Sequence, residues 1–148
     1  MDGTLTEKQS DAFSGSKFSN PNRTLDGGLR AIVNLNRLDT LWFNTGTVCN
    51  LSCTNCYIES SPTNDRLSFL TATEVARTLD ELQANWQAEE VGFTGGEPFI
   101  NPEILEILDD SLARGYQVLI LTNAMRPMMK ISEELLSLRR RYGKHLRL

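Results

Sequence analysis

The sequence is short of cysteine, of positive charge and of long apolar runs, and each shortage excludes a class of protein. Three cysteines is an odd number, and Cys49, Cys53 and Cys56 fall within eight residues. A disulfide framework is excluded, because one thiol is left over and any bridge closes only a tiny loop. In a reducing compartment such a cluster more often binds metal or does redox chemistry. No apolar run approaches the ~18 residues of a membrane-spanning helix. Residues 1–22 lack the apolar centre of a secretory signal and the arginine-rich, acid-poor bias of a transit peptide, which places the protein in the cytoplasm. Positive charge is also wanting: 15 Lys and Arg stand against 19 Asp and Glu, for a net charge of −4. Broad nucleic-acid binding needs a surface that neutralises phosphates, and is not expected. The basic cluster Arg139, Arg140, Arg141, Lys144 and Arg147 sits near a helix C-terminus, where cations complement the macrodipole. With 40% hydrophobic and 23% charged residues, fibrous and wholly disordered readings fall away, and 148 residues suggest one domain.

Residues 1–29 are rich in Gly, Ser, Asn, Asp and Thr without apolar periodicity, and read as a flexible, disordered leader. A weak pattern at 31–38 suggests a short strand. Leu41, Trp42 and Phe43 fit a buried strand that leads into the cysteines. Thr71 and Glu74 form a capping box ahead of the stripe Val75, Leu79, Leu82 and Trp86, which predicts a helix. Val91 and Phe93 make a strand stopped by Gly95 and Gly96. Asn101 and Pro102 are placed as N-cap and first helical residue of a second helix, striped by Ile104, Leu105, Leu108 and Leu112 and ended by Gly115. The continuous apolar run at 118–121 reads as a strand covered on both faces. Ser132 is the expected cap of a third helix through Leu135, Leu138 and Tyr142, stopped by Gly143, and residues 145–148 look like a fourth strand at its start.

Strands therefore begin near residues 41, 91, 118 and 145, at spacings of 50, 27 and 27. A βαβ unit of about 30 residues explains the two short spacings. The first unit is longer, and the cysteines fall in its excess. Repeated βα units build a parallel sheet, either doubly wound or closed as a barrel, with its site at the C-terminal strand ends. The cysteine loop, residues 95–98 and Thr122–Asn123 each follow a strand end, so they should converge on one face.

The spacing Cys49-x3-Cys53-x2-Cys56 places three thiolates on one short loop, suited to three corners of an iron–sulfur cluster. A cubane of four irons would keep one iron without a protein ligand, an open position for a further molecule. A zinc site completed by His145, or three buried structural cysteines, are the alternatives. Ser52, Thr54 and Asn55 make the intervening positions polar, unlike a core segment. Gly95 and Gly96 allow close backbone approach or positive φ, Pro98 rigidifies the exit, and Glu97 offers a carboxylate at the mouth of the sheet that can accept from an ammonium group.

VCNLSCTNCY at 48–57, FTGGEP at 93–98 and LILTNA at 119–124 resemble the radical S-adenosylmethionine (SAM) superfamily, in particular the branch of molybdenum-cofactor biosynthesis protein A and the peptide-modifying enzymes. The match starts near Leu41 and covers the first half of that family's partial (β/α)6, TIM-like barrel. Beside the leader read from composition at 1–29, the resemblance makes 30–148 the N-terminal portion of the family's core, expected to stop in or near strand four. It implies that Cys49, Cys53 and Cys56 bind a [4Fe–4S] cluster whose unique iron chelates the amino and carboxylate groups of SAM. Gly95, Gly96 and Glu97, with Pro98 beside them, would lie against the amino group, and Asn123 would add a polar contact. Asn55 stands where the family has an aromatic residue near the adenine, and Tyr57 is placed to take over that shielding. No catalytic side chain is implied. The resemblance implies that an external donor such as flavodoxin or ferredoxin would supply an electron, that SAM would be cleaved to methionine and a 5′-deoxyadenosyl radical, and that the radical would abstract hydrogen from a small-molecule or peptide substrate. A non-enzymatic zinc or iron–sulfur module, or an inactive truncated derivative, are the competing expectations.

Overall fold

The computed structural model describes residues 19–148, so most of the expected leader, residues 1–18, lies outside the described part. The chain divides into two compact units, Met1–Asn36 and Arg37–Leu148. In the described part of the first unit, an antiparallel bridge between Arg23 and Leu29 closes a turn, with Thr24 N–H donating to the Gly28 carbonyl at 2.8 Å. The strand expected at 31–38 does not form: these residues carry no ladder, and Ile32 and Val33 are exposed. Without a partner, a short apolar run has no strand to join.

The second unit is a four-stranded, all-parallel sheet in the order β1-β2-β3-β4, formed by Thr40–Asn44, Glu90–Thr94, Gln117–Ile120 and Leu146–Arg147. Between them run α1 (Ala72–Asn85), α2 (Ile104–Ala113), the short α3 (Arg126–Met129) and α4 (Ser132–Tyr142). The strand order never reverses, whereas a doubly wound sheet reverses at its switch point. The register aligns Leu41, Val91, Val118 and Leu146, and then Phe43, Phe93 and Ile120, on one face. These seven side chains join Val75, Leu79 and Leu82 of α1, Ile104, Ile107, Leu108 and Leu112 of α2 and Leu135 and Leu138 of α4 in one core. Phe43 stacks on Phe93, ring centroids 5.3 Å apart. Full burial of each large apolar side chain contributes about 1.5–3 kcal/mol before the entropy cost is counted.

The opposite face carries Trp42, Gly92, Leu119 and Arg147 and has no helix layer among the described residues. Two expectations change here. Trp42 is 44% exposed, its indole lying across Gly92, where a Cβ would sit 2.4 Å from the ring. The strand at 118–121 is likewise covered on one face only: Val118 and Ile120 are buried, but Leu119 is half-buried and Leu121 exposed. A continuous apolar run does not reveal which face a neighbouring layer covers.

Helix starts are mixed. The α1 capping box is present, Thr71 Oγ1 accepting from Glu74 N–H at 3.2 Å and Glu74 Oε2 accepting from Thr71 N–H at 2.9 Å. Asn101 does not cap α2, which starts three residues later behind a 3-10 turn at Pro98–Ile100. Its side chain instead turns the chain, Oδ1 accepting from Glu103 N–H at 2.9 Å, while Nδ2 donates to the Leu70 carbonyl at 2.7 Å. Ser132 is the first residue of α4 and makes no cap hydrogen bond, because α3 runs into α4 through a tight turn at Lys130 and Ile131. Gly115 (φ 91°) and Gly143 (φ 58°) follow α2 and α4 as expected. Among the described residues, no helix is long and apolar enough to cross a membrane.

Candidate functional site

The parallel sheet brings all three expected segments to the C-terminal strand ends. The first two are joined by a backbone ladder that continues past the strands. Thr45 N–H donates to the Thr94 carbonyl at 2.8 Å, Gly96 N–H to Gly46 at 2.8 Å and Glu97 N–H to Val48 at 3.0 Å. The paired glycines are explained by this approach: a Cβ on Gly96 would lie 2.1 Å from the Val48 carbonyl oxygen, and Gly95 has φ 138°. The close approach that the sequence indicated is thus to the neighbouring loop.

Glu97 is almost fully buried, at 2% exposure, and its carboxylate is busy. Oε1 accepts from Phe99 N–H at 3.1 Å and from the Thr122 hydroxyl at 2.8 Å, and Oε2 accepts from Asn123 N–H at 2.9 Å. The residue thereby ties the turn after β2 to the loop after β3. Pro98 beside it is buried and opens the 3-10 turn. The sequence placed Thr122 in a segment expected at this face but gave its side chain no role. Its one legible signal is its place just beyond a strand end.

The cysteine loop is closed at its base by a parallel bridge between Val48 and Ser61, with Cys49 N–H donating to the Ser61 carbonyl at 3.1 Å. Cys49 is buried, Cys56 half-buried and Cys53 exposed. The Cys49 sulfur accepts from Leu51 N–H at 3.4 Å and from Asn123 Nδ2 at 3.8 Å, and Asn123 Nδ2 also reaches Asn50 Oδ1 at 3.0 Å. The Cys56 sulfur accepts from Ser60 N–H at 3.3 Å. That amide first, and the Ile58 amide next, hold the Cys56 thiol below the ordinary thiol range, which favours the thiolate that binds metal. The Ser60 hydroxyl adds to this from close by, yet it is buried and has no partner of hydrogen-bond geometry. Asn55 and Tyr57 sit on the outside of the loop, Tyr57 81% exposed. Ser60 lies outside the quoted motif, and Asn50 lies inside it without a role read from it.

Among the described residues, no three Cys, His, Asp or Glu side chains are already gathered as a metal site, so ligand closure would accompany metal binding. The donor set nevertheless fits a thiolate-bound cluster: three thiols on one pinned loop, two of them receiving N–H donors, and an unpartnered buried hydroxyl beside the third ligand position. His145 precedes β4, at the end of the sheet opposite the cysteines. A site completed by that imidazole is not compatible with the parallel topology.

Residues 43–148 match the Radical SAM superfamily. The chain belongs to this superfamily. Radical SAM proteins use a [4Fe–4S] cluster together with SAM. Over 88 residues the chain is 40% identical to the antilisterial bacteriocin subtilosin biosynthesis protein AlbA of Bacillus subtilis (strain 168), covering 60% of this chain and 19% of that protein. The Streptococcus suis SuiB structure bound to S-adenosylmethionine shares the fold, with a TM-score of 0.55 and 23% identity, over 67% of this chain and 22% of that one. The radical SAM chain described here spans about a fifth of the length of these two proteins.

Proposed function

We propose that this chain forms the cluster- and SAM-binding portion of a radical SAM enzyme, the first half of a partial (β/α)6 barrel. Cys49, Cys53 and Cys56 ligate a [4Fe–4S] cluster, and Gly95, Gly96, Glu97 and Pro98 form the wall against the SAM amino group. Asn123 completes the polar rim, while Asn55 and Tyr57 flank the adenine. When bound and reduced, cluster and SAM together supply a 5′-deoxyadenosyl radical that abstracts hydrogen from the substrate. The chain's own residues hold and shield. The single observation that carries this reading is the hydrogen-bonded union of the cysteine loop with the Gly95–Gly96–Glu97 turn.

Glu97 bears on SAM in a specific way. An ionised carboxylate has about four acceptor positions, and three are taken by this chain, which leaves capacity for one ammonium hydrogen. The electron comes from a low-potential donor such as flavodoxin or ferredoxin, in the cytoplasm. Of small molecules and peptides as substrate, the likeness to a bacteriocin-biosynthesis protein favours the peptide. The test is anaerobic reconstitution with iron and sulfide, followed by assay of SAM cleavage to 5′-deoxyadenosine under a strong reductant. Iron, sulfide and cleavage support the reading. Zinc uptake without iron would sink it, and a SAM-binding cluster that cannot cleave SAM would reduce it to a binding module.

A further inference from the structure

We infer that Asn123 and Ser60 are outer donors to the cluster's cysteine sulfurs, Asn123 through its amide to Cys49 and Ser60 through its amide and hydroxyl to Cys56, and that they raise the cluster's reduction potential. This rests on the proposed function above. The two sulfurs that receive donors are the buried and the half-buried ones, so the environment is graded across the three ligands.

The orientation of Asn123 is fixed from three sides. Its Oδ1 accepts from Met125 N–H at 3.0 Å, which turns Nδ2 toward Cys49 and Asn50, and its own N–H is held by Glu97 Oε2 at 2.9 Å. Glu97 therefore acts on the sulfur as a positioning residue, through Asn123. Ser60 is fixed by its place beside Ser61, whose carbonyl takes the Cys49 N–H and whose backbone bridges Val48. Its hydroxyl is 95% withdrawn from solvent with the rest of the residue and lacks a partner. Buried hydroxyls are rarely left so, and a cluster sulfur is the acceptor this loop brings. Reduction adds negative charge that spreads onto the sulfurs, so donors aimed at them stabilise the reduced state more than the oxidised one.

The test is the midpoint potential of the reconstituted full chain, followed by electron paramagnetic resonance during a redox titration, with iron and sulfide content measured alongside. Ser60→Ala keeps the backbone donor that the Cys56 sulfur accepts and removes only the hydroxyl, so loading should persist; Asn123→Ala is the second variant. At the wild-type midpoint the reduced-to-oxidised ratio should fall about threefold in each, and about tenfold in the double variant, equivalent to about 59 mV for a one-electron couple. Ser60→Thr, which restores the hydroxyl, should restore the ratio. Loaded variants with the wild-type ratio overturn this inference alone. A wild-type chain that takes up no iron and sulfide overturns the proposed function, and this inference with it.

Discussion

The two loops that meet at the strand ends are built in opposite ways. The turn after β2 is rigidly assembled: two glycines seated against the neighbouring backbone, a buried carboxylate with three donors, and Pro98 locked into a 3-10 turn. The loop carrying the cysteines has no helix or strand of its own, is pinned at its base and leaves Cys53 exposed. On the proposed function, the wall against SAM would thus be preformed, whereas the cluster ligands would wait on a segment that the metal itself can order.

Substitutions in the rigid turn should destabilise the fold, and substitutions in the cysteine loop should spare it while abolishing loading. The largest effect on stability is expected from Gly96→Val, whose Cβ would fall on the Val48 carbonyl and the Thr47 backbone; urea denaturation should show a loss of about 3 kcal/mol or more. Next comes Glu97→Ala, which strands the Phe99 and Asn123 amides and the Thr122 hydroxyl and should cost about 2–4 kcal/mol, with Glu97→Gln recovering part of it. If Glu97→Ala were as stable as wild type but bound SAM less tightly, the carboxylate would be a ligand contact and not a strut. Cys53→Ala should change stability by less than about 0.5 kcal/mol, since the side chain is exposed, yet abolish iron and sulfide incorporation. An equal iron content in that variant would break the contrast between the loops.

The smallest effect concerns α1, away from both loops. The Thr71 N–H holds the Glu74 carboxyl below its usual range. A lowered folded pKa means that this carboxylate stabilises the fold above the unfolded value of about 4.3 and that its contribution fades as pH falls through the folded value. Stability measured in acid should therefore decline less in Glu74→Gln than in wild type.

Much of this was legible in the sequence, for reasons that differ by element. The βα spacing, the Thr71–Glu74 box and the glycines after α2 and α4 are local signals, and they stand as read. The Pro98–Ile100 turn and α3 carry no legible helix signal, each being under five residues with a proline in its first two positions, which reads equally well as a turn. Of the site, the residue types and their convergence were readable, but not the roles. Whether Glu97 faces a ligand or Thr122, and whether Asn123 addresses a solvent turn or Cys49, depends on pairs 25 and 74 residues apart, which no local pattern encodes.

The Val48–Ser61 bridge has a consequence for how the cysteine loop can vary. Because its two ends already meet, residues inserted or removed between them change only the entropy of a closed loop, by about 0.6 kcal/mol for a doubling of length. The sheet register and the helix layer would not feel such a change. The fold therefore tolerates many spacings of Cys49, Cys53 and Cys56, and on the proposed function it would be the shape of the cluster, not the fold, that restricts them.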